Sequence, residues 1–179
     1  MVDPAPGRVA LFSIKPQYAE ALMEGRKRVE FRRLPLPQDV ERVVVYSTSP
    51  VQQVVGSFRV ATVEQMSPVA AWDTYAECGG IEQDPFFSYY AGAESAFVIH
   101  AKDPVRAPQP FPLADLHDAL RPPQSYLYLR GDALRRANEL LGDVEVRQPL
   151  ISRGLVRLAR RASALVPSTL ASGTRGSAQ

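Results

Sequence analysis

The residues best suited to chemistry lie in one short stretch, residues 25–32, which reads GRKRVEFR. Alternation along a strand would place Arg28, Glu30 and Arg32 on one face and the apolar side chains between them on the other. Lys27 lies in the turn before this strand and can reach over the same face. The spacing therefore predicts a charged row beside a groove, with the apolar residues anchoring the strand in the core.

Within this row, a carboxylate flanked by guanidinium groups would be held ionised and oriented. Glu30 could then accept hydrogen bonds from the edge of a base or an amide, while Lys27 and Arg32 meet phosphate. The same pattern is also typical of an Arg-Glu-Arg ladder on an exposed sheet face, where the charges simply pair with one another. The residue types alone leave both interpretations open.

Other reactive side chains are sparse in the sequence. Cys78 is the only cysteine, which excludes an internal disulfide and a thiolate metal cluster. His100 and His117 stand apart, without the spacing of metal ligands. We therefore expect no metal and no cofactor, and we interpret His100 as a packed or edge residue of a strand.

The formal net charge is +2, but the basic residues are unevenly placed. Between residues 25 and 33, five basic residues face Glu30 as the single acid, and residues 147–179 carry six arginines and no acid. Local positive fields of this kind attract phosphates even in a nearly neutral molecule. A solvated charged surface without a partner is the alternative for either cluster.

Neither a membrane span nor a secretory signal is expected from the sequence. No apolar run reaches the length that a bilayer requires. The run Val9–Ile14 is too short for a signal peptide and meets Lys15-Pro16 instead of a small-residue cleavage site. These features predict a cytoplasmic protein that does not bind membranes.

Around the charged stretch, short apolar runs and turn residues predict strands that alternate with short helices. A strand at Val9–Ile14 leads into a helix that Pro16 begins and Gly25 ends, and the charged stretch follows as a second strand. Further strands are predicted at 43–46, 54–60, 96–101 and 126–129, and further helices at 67–79, 84–91 with Asp84 as its N-cap, 113–120, 133–141 and 151–165. Gly56 would mark a bulge, and the prolines between 104 and 112 favour an edge strand or an extended crossing.

Strands interrupted by short helices, without regular βαβ alternation, favour a mixed barrel over a doubly wound sheet. We predict an α+β fold, a small mixed β-barrel with surrounding short helices and a C-terminal helical extension. The predicted domain covers residues 8–130, and the helical extension covers 131–166. Residues 167–179 are predicted to be a disordered tail, because this Ser-, Gly-, Ala- and Thr-rich segment has no apolar face to bury.

The spacing Gly25-x-Lys27-x-x-Glu30-x-Arg32 resembles the signature of the ASCH domain, a branch of the PUA-like superfamily. The likeness covers about residues 8–130 and points to the predicted-regulator branch of that family. The segments that carry it are Ser13-Ile14-Lys15-Pro16, Tyr46-Ser47-Thr48-Ser49-Pro50, Val55-Gly56-Ser57-Phe58, Trp72, Gly80-Ile81, Phe87 to Tyr90 and Pro123-Gln124-Ser125-Tyr126. Residues 131–179 have no counterpart in this resemblance.

The resemblance implies a PUA-like barrel with a cleft beneath the first helix. Members of the family are thought to bind RNA, and relatives in the wider superfamily read modified bases in RNA or DNA. By position, Lys27, Glu30 and Arg32 would line the cleft. The looser candidates are Lys15, Ser47, Thr48, Gln124 and Ser125. The last two have a physical argument of their own, because the preceding prolines would hold their amide and hydroxyl rigidly, although ordinary turn hydrogen bonding is the more common role.

Two classes of function follow from this resemblance. The leading hypothesis is an RNA- or nucleotide-binding module with a regulatory role and no catalysis. The alternative is a hydrolase acting on a modified nucleoside or on RNA, of the amidohydrolase or ribonuclease type, in which Lys27 and Glu30 would be catalytic. One branch of the family removes an acetyl group from a modified cytidine with a threonine at the position of Glu30, and this sequence lacks that nucleophile.

Two further features bear on partners. The aromatic residues of the segment 86–90 offer a stacking surface for bases, although packing of the barrel is their more frequent role. The arginines of the helix predicted at 151–165 are Arg153, Arg157, Arg160 and Arg161, and they would extend the phosphate-binding surface or dock a protein partner. An amphipathic helix packed on the barrel is the alternative. A third interpretation of the whole chain is a protein-interaction adaptor whose cleft no longer binds.

Overall fold

The structure is a computed structural model that describes residues 7–142. In chain order its elements are β1 (Arg8–Ile14), α1 (Pro16–Met23), β2 (Val29–Arg32), β3 (Val40–Ser47), β4 (Gln53–Met66), α2 (Pro68–Gly79), α3 (Gln83–Tyr89), β5 (Ala96–Phe111), a 3₁₀ turn (Leu113–Asp115), β6 (Tyr126–Leu129) and α4 (Gly131–Leu141). The helix predicted at 151–165 and the predicted tail lie outside the described residues. The division of the chain into domain, extension and tail stays a prediction.

All six strands belong to one sheet with the order β2-β5-β4-β3-β1-β6. The β1 and β3 strands run parallel, and the other neighbouring strands are antiparallel. The predicted mixed α+β class is thereby confirmed. Since β2 and β6 stand at the two ends of this order, the closure of the sheet into a barrel stays a prediction.

Helix α1 begins and ends where its sequence predicts. Pro16 occupies the first turn, where its missing N–H is not needed, and Gly25 follows the helix with a φ of 73°. Its apolar face packs on the sheet in a cluster formed mainly by Ala19, Leu22, Met23, Phe12, Val43, Val45, Phe58 and Ile99. This packing fixes the position of the turn between α1 and β2.

The fourth and fifth strands are longer than predicted. β2 pairs with the first half of β5, from Phe97 to His100, while the proline-containing half pairs with β4 on its other side. Proline has no backbone N–H to donate to a neighbouring strand. Among the described residues, this half of β5 has a neighbouring strand on one side only, so it lies at an edge of the sheet, as predicted. The predicted bulge at Gly56 is present as a register shift against both neighbouring strands. A Cβ there would collide with Met23 and with the backbone of Val105.

Two predicted helix boundaries are wrong. The N-cap of α3 is Glu82 and not Asp84, which lies in the first helical turn, where its carboxylate still favours the positive end of the helix dipole. The helix predicted at 113–120 is limited to the 3₁₀ turn, because the segment has few apolar residues to bury beyond Leu113 and Leu116.

The remaining helices cover other parts of the sheet. α2 and α3 pack around Val29 and Phe31 of β2, in an apolar cluster with Phe86 and Tyr90. α4 packs through Ala133, Ala137 and Leu141 on a cluster that includes residues of β1, β3 and β6. Among residues 7–142, no helix combines the length and apolar character needed to cross a membrane.

Candidate functional site

The turn between α1 and β2 brings Lys27, Glu30 and Arg32 together, whereas Arg28, predicted on the same face, is exposed and precedes the first residue of β2. After Gly25 the chain reverses, and the N–H of Lys27 donates to the carbonyl of Ala21 at 2.9 Å. β2 then pairs with β5, with Glu30 opposite Ile99 and Arg32 opposite Phe97. Alternation separates these charged residues from Val29 and Phe31, which pack under α2 and α3, as predicted.

Glu30 lies between two cations in a buried environment. Its Oε2 is 3.5 Å from Lys27 Nζ, and its Oε1 is 3.1 Å from an Arg32 guanidinium nitrogen. The exposed fractions are 3% for Lys27, 7% for Glu30 and 9% for Arg32. An ion pair on an exposed sheet face would be largely hydrated, so this arrangement does not match the surface ladder that the sequence left open. Charges buried to this degree require partners, and each of the three has at least one.

Lys27 is enclosed by α1, α2 and β2. Its ammonium donates to the carbonyl of Gly79 at the end of α2, and it lies 5.5 Å from the ring centroid of Tyr18 and 5.2 Å from that of Phe31. Burial lowers the pKa of Lys27, and the Glu30 carboxylate offsets part of this change. Lys27 therefore loses its proton more readily than an exposed lysine.

Arg32 connects β2 with the far side of the sheet. Its guanidinium nitrogens donate to the backbone carbonyls of Ser125 at 3.2 Å and Ser13 at 3.3 Å, and its Cζ lies 4.3 Å from the ring centroid of Phe12. The hydroxyl of Tyr90 donates to the backbone carbonyl of Arg32 at 3.0 Å, which fixes the strand from the opposite face. Arg32 is thus held rigidly at the start of β6 and the end of β1.

These residues line a cavity of about 260 Å³. Its walls are formed by Ser13, Ile14, Lys15, Tyr18, Lys27, Glu30, Phe31, Arg32, Ile81, Pro85, Tyr89 and Gln124. Two buried polar atoms of lining residues, Arg32 Nε and Ser13 Oγ, have no hydrogen-bond partner among the described residues. A buried donor and a buried hydroxyl without partners are costly to the folded state.

Five of the eight predicted site residues line this cavity. They are Lys15, Lys27, Glu30, Arg32 and Gln124. The other three lie close by without lining it. Ser125 contributes its backbone carbonyl to Arg32, Thr48 donates its N–H to the carbonyl of Ile14 at 2.9 Å, and Ser47 is buried at the end of β3.

Sequence reasoning missed Ser13 and Tyr18 as cavity residues, whereas Tyr89 belongs to the segment considered as a stacking surface. Ser13 is the one polar residue in the apolar strand β1 between Val9 and Ile14, and that interruption was an available signal. In the aromatic segment the packing role holds for part of the residues, and the stacking of bases stays a prediction. Phe86 and Tyr90 are buried in the core, whereas Tyr89 is 41% exposed and lines the cavity.

Another polar cluster lies on β4, β5 and α2, away from the residues that line the cavity. The Tyr75 hydroxyl donates to Glu64 Oε1 at 2.6 Å, and His100 Nε2 lies 2.5 Å from the same oxygen. The hydrogen bond to Glu64 is the main cause that raises the pKa of Tyr75 to about 12. His100 is thus a paired strand residue, and across the described part of the chain no group of three or more His, Cys, Asp or Glu is placed to hold a metal ion.

The chain is similar to known proteins in both sequence and structure. The chain is 30% identical over 148 residues to an ASCH domain-containing ribonuclease of Zymomonas mobilis, and the match covers 81% of this chain and 100% of that relative. The crystal structure of the ASCH protein from Zymomonas mobilis superposes with a TM-score of 0.69 at 28% identity, covering 74% of this chain and 94% of that one. A serine-to-alanine variant of that protein superposes with a TM-score of 0.70 at 27% identity, covering 75% and 97%.

The family model for the ASCH domain matches residues 12–106, which include the whole charged stretch and the part of β5 that pairs with it. Sequence, fold and domain match thus agree, and the chain belongs to the ASCH domain family.

Proposed function

We propose that this protein binds single-stranded RNA in the cavity of Lys27, Glu30 and Arg32 and cleaves it there as a ribonuclease. The observation that carries the proposal is a buried carboxylate held between two cations, in a cavity where Arg32 Nε and Ser13 Oγ lack protein partners. The ribonuclease name of the Zymomonas mobilis relative supports the catalytic form of this proposal over binding alone. A cavity of about 260 Å³ admits an unstacked nucleotide and not a duplex, which favours single strands.

The lining residues suit the charges that develop during cleavage of a phosphodiester. Negative charge builds on the phosphoryl oxygens, and in the proposal Lys27 and Arg32 stabilise it. Glu30 lines this cavity, and in the proposal it takes the proton of the attacking 2′-hydroxyl while the bond from phosphorus to the 5′-oxygen breaks and the leaving 5′-oxygen takes a proton from water. Lys15 adds a positive charge at the rim, and Tyr18 and Tyr89 provide stacking surfaces for a base.

Binding without turnover is the second candidate. It is favoured by the two ion pairs of Glu30, which already engage both oxygens of the carboxylate. In that case Glu30 orients Lys27 and Arg32 toward phosphate, and the protein acts as an RNA-binding module. The two candidates differ in whether the bound RNA is cut.

A cleavage assay with end-labelled single-stranded RNA separates the candidates. The full chain is assayed with and without a chelator of divalent metals, alongside Glu30→Gln and the control Glu94→Gln, a change at an exposed position. We expect Glu30→Gln to lower the cleavage rate by about 10²- to 10⁴-fold, as loss of a general base does, while Glu94→Gln cleaves like the wild type. Melting curves establish that the variants are folded. Wild-type protein that binds RNA without cutting it would leave the binding module as the function.

We also propose that the sheet closes as in PUA-like barrels, with Arg32 as the link. Its guanidinium contacts the backbone beside β1 and β6 from β2, the opposite end of the strand order. Hydrogen exchange tests this, because Arg32→Met should accelerate exchange at Ser13 and Ser125 more than in the middle of β3.

A further inference from the structure

A row of basic residues crosses three neighbouring strands on the face of the sheet away from α1. Arg42 of β3 lies directly opposite Arg59 of β4, and Arg59 lies directly opposite Lys102 of β5. The neighbours Phe58 and Val60 pack toward α1, so alternation points Arg59 to the other face. Arg59 and Lys102 are exposed, and Arg42 is half-buried and bonded to Asn138 of α4.

This arrangement is electrostatically unfavourable for the isolated protein. Like charges that face each other across neighbouring strands destabilise a sheet. Among the described residues, most exposed arginines that contact another side chain form ion pairs with acids, for example Arg106 with Glu20 and Arg135 with Glu139. Arg59 and Lys102 form no ion pair with any residue in the range 7–142.

Acids close to Arg59 and Lys102 in the described part of the chain form no ion pair with them. Asp103 follows Lys102 at a φ of 48°, and no ion pair joins it to a described residue. Glu64, farther along β4, is engaged by Tyr75 and His100. Within residues 7–142, Arg59 and Lys102 therefore keep their positive charge for a partner from outside the sheet.

We propose that Arg59 and Lys102 bind the phosphate backbone of RNA, as a second contact region separate from the cavity. The inference rests on the proposed RNA-binding function and extends it from one nucleotide to a longer strand. We choose RNA as the partner because the charges are complementary. RNA presents a regular array of phosphates, and neighbouring β-strands place the basic groups about 5 Å apart. Such contacts add affinity without reading the base sequence.

The test compares a long RNA with a very short one. Binding of a fluorescent 2′-O-methyl 20-mer is measured by anisotropy over a range of salt concentrations, and cleavage of a dinucleotide is measured separately. The variants are Arg59→Ala/Lys102→Ala and the matched control Arg106→Ala, an exposed arginine of β5 whose charge is paired with Glu20. We expect the double variant to bind the 20-mer about tenfold more weakly, with a salt slope smaller by about one unit or slightly more, and to cleave the dinucleotide normally.

Each outcome decides the proposal. Unchanged affinity of the double variant for the 20-mer would overturn it, and so would an equal loss with the dinucleotide, which would mean that the two residues act through the cavity. An equal loss in Arg106→Ala would show a general effect of net charge and would also overturn it. If the wild type neither binds the 20-mer nor cleaves the dinucleotide, the proposed function itself is wrong. The proposal that Arg59 and Lys102 bind RNA is then wrong as well.

Discussion

At the scale of single residues, Glu30 holds the site together because it neutralises two buried cations. Its two oxygens are divided between Lys27 and Arg32, which are almost fully enclosed. Truncating it would leave both cations buried without an anion. We expect Glu30→Ala to lower the free energy of unfolding by about 3–5 kcal/mol, measured by urea denaturation.

A double variant separates the electrostatic part of this loss of stability from the loss of packing. The double variant Lys27→Met/Glu30→Gln removes one buried cation together with the anion. We expect it to be more stable than Glu30→Ala, because a neutral pair leaves a smaller uncompensated charge in the cavity. A double variant that is less stable than the single one would show that the ion pairs contribute little.

Lys27 gives the site a dependence on alkaline pH. Burial lowers the pKa of its ammonium group, and phosphate binding requires the protonated form. RNA affinity should therefore fall as pH rises through this lowered pKa, by about tenfold for each unit above it if Lys27 dominates. Lys27→Arg stays charged over this range, so its affinity should decline only at higher pH. Identical alkaline profiles for the wild type and Lys27→Arg would contradict this role.

At the scale of elements, the end of α2 positions two residues of the site, Lys27 and Phe31. The carbonyl of Gly79 accepts the hydrogen bond of Lys27, and a Cβ at Gly79 would lie 2.5 Å from the Phe31 ring. We expect Gly79→Ala to destabilise the fold by about 1–3 kcal/mol through overpacking and also to weaken RNA cleavage, because Phe31 and Lys27 must move.

The matched control for this change is Gly92→Ala. Gly92 has a φ of 72°, and a Cβ there would meet no atom within 4 Å. This variant should lose about 1–2 kcal/mol from backbone strain while its rate of RNA cleavage stays normal. Equal effects of the two variants on cleavage would show that the end of α2 has no special role.

The comparison of sequence and structure is also clearest at this scale. Alternation along β2 was enough to predict that Glu30 and Arg32 share a side, and the Pro16 and Gly25 signals placed the turn that carries Lys27. The contacts of Arg32 with Ser13 and Ser125 could not be predicted, because they join residues 19 and 93 positions away. Local patterns determine elements, whereas a cavity between distant elements depends on how they pack.

At the scale of the whole molecule, positive charge is distributed over more than one region while the net charge stays near +2. If Lys15, Lys27, Arg32, Arg59 and Lys102 all meet phosphates, the logarithm of RNA affinity should fall with the logarithm of salt concentration at a slope of about −3 to −4. Anisotropy titrations between low and moderate salt measure this slope. Affinity that is indifferent to salt would point to a neutral ligand and against phosphate recognition.

In the proposed function, RNA enters the cavity and engages Arg32. Arginine Nε–H groups give separate signals in ¹⁵N nuclear magnetic resonance spectra, and an Arg32→Lys variant assigns the one that belongs to Arg32. We expect a 2′-O-methyl RNA to shift the Arg32 Nε–H signal in proportion to saturation, because this buried donor has no partner within the described structure and would gain a phosphate or base acceptor. An Arg32 signal that stays unchanged while the RNA saturates the protein would place the bound RNA elsewhere and contradict the account.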